Sequence, residues 1–382
     1  MRSIKRIQSL IGVVGLLLIG GPITVGVVTG ASEIETNSGR ALPRPAASFS
    51  YPQELSAWLG EHATMKSLAI RLDGWIDRSV FSEVPVAGSA SPRVTNGLNG
   101  VMYIADAFNE ACSPHIATEE LVSRLSALTS LIEQSGREVR LLISPDKSTI
   151  LPEFLPSAFA LQECFSAYNT DFWEQLRNAG IPGFLDLRTA LEDARLTRRE
   201  LLFKRRDTHW DDAGAAVASR ALIGSLSPKI WNDDELIFNG TTEYFGDLNV
   251  LSGESLIDVA PSYSLVRDGI TQENVLLIDD LEHARNRRMI FSGSQSQLIA
   301  GRTLVLGDSF SEAAEGFFLQ FFSDITLMRL VDYSPDRYVD LIAESDRVII
   351  WSVERTTPYR VAFDWGTPEF LDLLDERLKV GE

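Results

Sequence analysis

The stretch Leu304-Val305-Leu306-Gly307-Asp308-Ser309-Phe310-Ser311 decides how the rest of the chain is read. Residues 303–306 form a short apolar run of the kind that makes a buried strand, and the run halts at Gly307. A helix-like segment follows over residues 311–322. A small polar residue just after such a strand sits where open α/β sheets place their ligands. At a helix N-terminus, free N–H groups and the helix dipole also stabilise an oxyanion. Ser309 is therefore the candidate nucleophile. Gly-Asp-Ser equally makes an ordinary turn with a helix cap, so the tripeptide alone does not establish chemistry.

Similar apolar runs lie on both sides of this junction. Residues 139–143, 183–187, 325–330 and 347–352 read as strands, and helical patterns alternate with them. The clearest helix covers 117–136. Thr118 stands at its capping position, Leu121, Leu125, Leu128 and Ile132 form one stripe, and Gly136 stops it. Residues 171–179 predict a short helix closed by Gly180, and 211–226 a helix rich in small residues. Ser334-Pro335-Asp336 and Thr367-Pro368-Glu369 open two more, with proline in the first turn. Strands alternating with helices predict an α/β domain with a mostly parallel sheet flanked by helices. Residues 227–301 are polar and acidic and read as an insertion with short strands.

A serine nucleophile needs a base, and the base needs an acid to orient it. The chain has four histidines: His62, His115, His209 and His283. His209 stands two residues after Asp207, in Asp207-Thr208-His209-Trp210. In an extended or turn segment that spacing puts both side chains on one side of the backbone. His283, with Asp280 three residues before it, is the alternative base, but its charged surroundings suit a solvated face. The predicted catalytic group is Asp207, His209 and Ser309. Trp210 offers either a face for a sugar ring or a packing contact for the helix behind it, and burial is the usual fate of such an aromatic.

Asp-Thr-His-Trp, followed about a hundred residues later by Gly-Asp-Ser-Phe, resembles the SGNH-hydrolase-like polysaccharide O-acetyltransferases, in particular the alginate O-acetyltransferase family. In ordinary SGNH hydrolases the Gly-Asp-Ser block comes first and an Asp-x-x-His last; here the order is that of the acetyltransferases. Residues 94–103 (with Gly97, Gly100 and Tyr103), 107–112, 143–152, 184–188, 246–248 and 353–355 are similar to further stretches of that family. Asp146 departs from its pattern, where an Asn is expected. The resemblance covers residues 51–360. It implies an SGNH-hydrolase-like fold and O-acetylation of an extracytoplasmic polysaccharide through an acetyl-serine. It also implies a separate integral-membrane acyltransferase that supplies the acetyl groups. Lys147 and Arg355, in family-like stretches near strand ends, are candidate contacts to the substrate or to the acetyl donor; a structural ion pair is the alternative for each.

Composition and charge narrow the other possibilities. The chain has 382 residues, 45% hydrophobic and 23% charged, so it is a globular protein. Its net charge of −18 opposes a phosphate backbone, which makes nucleic acid an unsuitable partner. No Cys/His cluster has metal spacing and no nucleotide fingerprint is present, so neither a metal nor a cofactor is expected. Lys204, Arg205 and Arg206 form a basic run that either is a solvated face or steers an anionic polymer.

The N-terminus speaks to the compartment. Arg2, Lys5 and Arg6 precede an uncharged run over residues 7–32, with its apolar centre at 10–28. That length suits a single transmembrane helix with the remainder outside the cytoplasm; a cleaved signal sequence is the competing reading. The expected organisation is a basic end and anchor at 1–32, a linker at 33–50, and the acetyltransferase domain at 51–382. Cys112 and Cys164 then face an oxidising space, where they are free to pair. The competing functions are an SGNH-type carbohydrate esterase, which differs only in using water as acceptor, and an inactive glycan-binding scaffold.

Overall fold

The computed structural model describes residues 94–156, 159–277, 286–330 and 334–380. The expected anchor, the linker, His62 and His283 lie outside these residues. Among the described residues no helix is long and apolar enough to cross a membrane.

The chain enters through a small antiparallel ribbon, β1 (Val94–Asn96) and β2 (Met102–Ile104), followed by α1 (Ala105–Cys112) and α2 (Thr118–Gln134). Then come β3 (Glu138–Ser144), the short α3 (Lys147–Ile150), α4 (Gln162–Asn178), β4 (Phe184–Leu185), α5 (Leu187–Arg198) and α6 (Asp212–Leu226). The stretch read as an insertion holds β5 (Leu236–Tyr244), α7 (Asp247–Ser252), β6 (Asp258–Leu265), β7 (Thr271–Leu277) and β8 (Arg287–Ser292). The last part runs β9 (Ile299–Gly307), α8 (Ser309–Phe318), β10 (Phe322–Arg329), α9 (Pro335–Ala343), β11 (Arg347–Val353), α10 (Thr357–Phe363) and α11 (Pro368–Val380).

Seven strands form the main sheet in the order β4-β3-β11-β9-β10-β8-β7. Every pairing from β4 to β10 is parallel, whereas β8 joins β10, and β7 joins β8, in antiparallel fashion. The sheet is thus mixed: a parallel block with an antiparallel edge supplied by β7 and β8. β5 and β6 pair only with each other.

Residues of the central strands alternate between two apolar layers. Leu142, Val305, Ile349 and Trp351 pack on one face with side chains of α5, α6 and α8. Leu141, Ile143, Leu304, Leu306, Val348 and Ile350 pack on the other with side chains of α2, α4, α9 and α11. A strand covered on both sides reads as a continuous apolar run, which is why residues 303–306 and 347–352 stand out in the sequence.

Several local expectations change. The helix expected at 171–179 begins far earlier, at Gln162, because Phe165, Asn169, Phe172, Trp173 and Leu176 bury one face of α4. The strand expected at 183–187 shrinks to two residues; Asp186 accepts from Thr189 N (3.1 Å) and starts a helix there instead. Thr118 is the first helical residue of α2, not its cap, and its side chain bonds no cap N–H. Gly136 does end that helix, in the left-handed conformation (φ 79°) that glycine tolerates. The helix after Ser309 stops at Phe318, and Phe322 already belongs to β10. Phe317, Phe318, Phe321 and Phe322 are apolar in both periods, so only sheet pairing separates helix from strand there. Cys112 and Cys164 form a disulfide, with Cα atoms 5.2 Å apart.

Candidate active site

Three neighbouring parallel strands deliver the candidate residues to one edge of the sheet. In register, Ser144 of β3 lies beside Val353 of β11, and Gly307 of β9 beside Trp351. The residues that leave these strands are Asp146-Lys147, Glu354-Arg355 and Asp308-Ser309. They meet at the C-terminal edge of a parallel sheet, the place where such sheets bind ligands.

At the β9–α8 junction, Asp308 is the helix cap. One carboxylate oxygen accepts from Phe310 N (2.9 Å) and the other from Val353 N (2.6 Å). Burial pushes its carboxyl above the usual range, and those two N–H donors pull it partly back. Both oxygens accept from the backbone and neither meets an imidazole, so Asp308 caps α8 and ties it to β11. Ser309 is the first residue of α8 and is half-buried. That position leaves its own N–H without an intrahelical acceptor. Gly307 has no room for a side chain: a Cβ there would lie 2.0 Å from Ser311 Oγ.

The Asp207–His209 turn arrives from the other side. A bridge between Phe203 and Trp210 closes it, and α6 follows with Asp211 as cap. Asp207 Oδ1 accepts from His209 N (2.9 Å) and lies 2.8 Å from Nδ1, so Nδ1 carries the proton in this pair. Burial pushes the Asp207 carboxyl up, but the hydrogen bonds and charge of His209 outweigh it and hold the group below the ordinary carboxylate range. The opposite nitrogen, Nε2, is buried and has no hydrogen-bond partner. The imidazole lies against Phe310, ring centroids 5.1 Å apart, and Trp210 packs on Phe310 (5.0 Å) and Trp351 (6.0 Å). His209 therefore touches the residue that follows Ser309, with no hydrogen bond from Nε2 to the serine. Trp210 is 1% exposed and is a core residue rather than a sugar platform.

Lys147 and Arg355 stand near this pair but face inward. Lys147 Nζ donates to the carbonyls of Met102 (2.7 Å) and Arg205 (3.0 Å), which ties β2 to the turn. Burial brings its ammonium down to about 7, against an upward pull from Asp207 and Asp247. The Arg355 side chain is 10% exposed and paired with Asp146, whose other oxygen accepts from Arg355 N (3.0 Å). Its guanidinium sits 5.5 Å from the Phe310 ring centroid. Asp146, standing where an Asn is expected, is thus the counter-ion of Arg355. Glu354 completes the buried layer, accepting from Asp146 N (2.9 Å), Thr149 Oγ1 (2.7 Å) and Asn169 Nδ2 (2.7 Å). Burial, then the neighbouring Asp146 charge, raise its carboxyl.

Other candidates fall elsewhere. His115 pairs with Glu110 (2.5 Å) beside Tyr359 and Phe363 and takes no part in this cluster. Residues 244–258 engage the basic run. Lys204 lies over the Tyr244 ring, Arg205 is 3.9 Å from Asp258, and Arg206 bonds Glu254 at 2.6 Å. Sequence reasoning passed over Asp247 as a site residue. Its carboxylate holds Thr208, and it lies 3.7 Å from His209 Nδ1. The visible signal was Gly246 before it, where a Cβ would lie 1.9 Å from Arg206 O. Asp207, His209 and Asp247 bring ligand atoms within 4.8 Å of one another. N–H and O–H donors already occupy all four carboxylate oxygens, so hydrogen bonding alone accounts for that grouping.

Residues 94–333 match the family described as SGNH hydrolase-like domain, acetyltransferase AlgX. The chain is 26% identical over 189 residues to the "Probable alginate O-acetylase AlgJ" of Pseudomonas putida, covering 48% of this chain and 46% of that protein. It thus spans about half the length of that relative. It is similar to the solved O-acetyltransferase domain of Pseudomonas putida AlgJ, at 21% identity and a TM-score of 0.47 over 74% of this chain and 99% of that one. It is also similar to Pseudomonas aeruginosa AlgX, at 14% identity and a TM-score of 0.47 over 74% and 66%.

Proposed function

The chain belongs to the SGNH hydrolase-like acetyltransferase AlgX family, and from that premise we propose that it transfers acetyl groups to hydroxyls of an extracytoplasmic polysaccharide. The observation that carries the reading is the Asp207–His209 pair, with its unpartnered Nε2 against Phe310, one residue from Ser309. In this reading Ser309 Oγ attacks the acetyl carbonyl of the donor while His209 Nε2 takes the hydroxyl proton. The tetrahedral intermediate collapses, the donor oxygen leaves with that proton, and acetyl-Ser309 remains. A sugar hydroxyl then attacks the acetyl carbon; its proton passes to His209 and from there to Ser309 Oγ. Asp207 holds the Nδ1–H tautomer and balances the imidazolium. The N-terminus of α8 supplies the first oxyanion donor. The serine–histidine bond need not be closed before the donor arrives.

Lys147 and Arg355 act here as positioning residues in place of the expected substrate contacts. One braces the turn and the other braces the floor under Phe310. The relative's name specifies alginate, and an acidic exopolysaccharide of that class is the proposed acceptor. The proposed protein is held in the membrane by residues 10–28, with its domain outside the cytoplasm. A separate integral-membrane acyltransferase delivers acetyl to it. The basic-then-apolar N-terminus supports this placement, as does the Cys112–Cys164 bridge, since disulfides persist in oxidising compartments.

The test is incubation of the purified protein with an acetyl-ester donor, with and without oligosaccharide acceptors. One acetyl group should appear on Ser309 by mass spectrometry and move to the oligosaccharide. Release to water alone would make the protein an esterase. No label on Ser309 would leave the glycan-binding scaffold as the better account.

A further inference from the structure

The six-residue turn at 204–209 keeps a carboxylate and an imidazole in one geometry. Within the turn, Asp207 Oδ1 serves both the N–H and the Nδ1 of His209, and Lys204 N donates to the His209 carbonyl (3.3 Å). Met102 N (2.8 Å) and Lys147 Nζ (3.0 Å) hold the Arg205 carbonyl, and the remaining ties come from residues 244–254. Tyr244 accepts from Arg206 N (3.3 Å), and Glu254 and Asn249 hold the Arg206 guanidinium (2.6 and 3.4 Å). Asp247 makes the contacts nearest the chemistry. Its backbone N–H donates to Asp207 Oδ2 (3.1 Å). Its carboxylate accepts from Thr208 N (2.8 Å) and from Thr208 Oγ1 (2.5 Å).

We propose that Asp247 is a positioning residue for the Asp207–His209 pair, acting as a clamp from the insertion onto the catalytic turn; the inference rests on the triad reading. Oδ2 of Asp207 is tied to the Asp247 amide, so the carboxylate cannot rotate without breaking that bond, and Oδ1 stays on the imidazole. Thr208 lies between acid and base. Holding its N–H and its hydroxyl fixes the separation of both neighbours. The hydroxyl is also 3.2 Å from His209 Nδ1. Once released from Asp247, it would be free to accept from Nδ1 in competition with Asp207. The Asp247 side chain is 41% exposed, so its charge is largely screened by water and its geometry matters more. Gly246 makes the approach possible, because any side chain there would collide with the Arg206 carbonyl.

The test is the rate at which a small aryl sulfonyl fluoride labels Ser309 in the full-length protein, followed by intact mass. This rate reads serine–histidine activation without an acceptor. Asp247→Ala should slow labelling about tenfold, as expected when a working group is misplaced by a fraction of an ångström. Asp247→Asn keeps one acceptor oxygen and should restore most of the rate. In an Asp207→Asn background the further loss on Asp247→Ala should be under about twofold, because the clamp acts through Asp207. Thr208→Val should show the same coupling with a smaller loss and serves as the reading if Asp247→Ala does not fold. Equal losses in both backgrounds, or undiminished labelling by Asp247→Ala, would overturn the clamp while leaving the triad intact. Absence of Ser309 labelling in the unsubstituted protein would overturn the triad, and the clamp with it.

Discussion

The junction that carries Ser309 and the turn that carries His209 are built on opposite principles. At residues 307–311 nearly every constraint is local: a strand end, a glycine, an Asp cap, and a helix that begins at once. The longer ties run only to neighbouring strand ends: Asp308 to Val353 N and to Trp351 O, and Gly307 O to Leu330 N. The turn at 204–209 is held by backbone and side-chain groups of β2, α3, the end of β5 and α7, all far away in sequence. A nucleophile needs only an exposed position at a helix N-terminus, which secondary structure provides by itself. A base needs its ring orientation set to within a fraction of an ångström, which a short turn cannot do alone.

The largest expected effect is at the local site. Ser309→Ala should abolish the acetyl-enzyme and lower transfer by at least about a thousandfold. The melting temperature should not move, since Asp308, not Ser309, is the cap. His209→Ala should be nearly as damaging, because members of a triad fail as a unit. A Ser309→Ala protein that still transfers acetyl would remove the first half of the comparison.

The next effect tests the other half. Gly246→Ala places a methyl where the Arg206 carbonyl sits. It should destabilise the protein by about 1–3 kcal/mol and cut activity about a hundredfold by displacing the turn. Denaturant melts and transfer rates measured together would check it. Unchanged activity would mean that the turn needs no outside support, and the contrast would collapse.

Lys147 sharpens the comparison through pH. Its ammonium normally titrates near 10.5 and is brought down to about 7 in the fold. Between those values the unfolded chain holds a proton that the folded chain does not, so this residue's contribution to stability rises with pH. The stability of the unsubstituted protein minus that of Lys147→Met should therefore climb across this window, by at most about 1.4 kcal/mol per pH unit. A flat or falling difference in denaturant melts would show that Lys147 is not the buried strut described. The smallest effect belongs to Arg205. Its side chain is 44% exposed and 3.9 Å from Asp258, so Arg205→Ala should change stability by less than about 1 kcal/mol.

The sequence by itself determined the features that short-range physics controls. Apolar alternation marked the central strands, because each is covered on both faces. Asp-x-His spacing placed acid and base on one side of a turn, and the Gly-Asp-Ser junction marked a strand end and a helix start. Only the tertiary structure decided which carboxylate does what. Asp207 and Asp308 each stand beside a candidate residue and each accept from two backbone N–H groups, yet only Asp207 also meets an imidazole nitrogen. It also decided that Lys147 and Arg355 point inward, that α4 begins at Gln162, and that Asp247 reaches the turn. Whether a charge is buried, and what it pairs with, depends on residues brought together by the fold, and nothing in a local pattern encodes those distances.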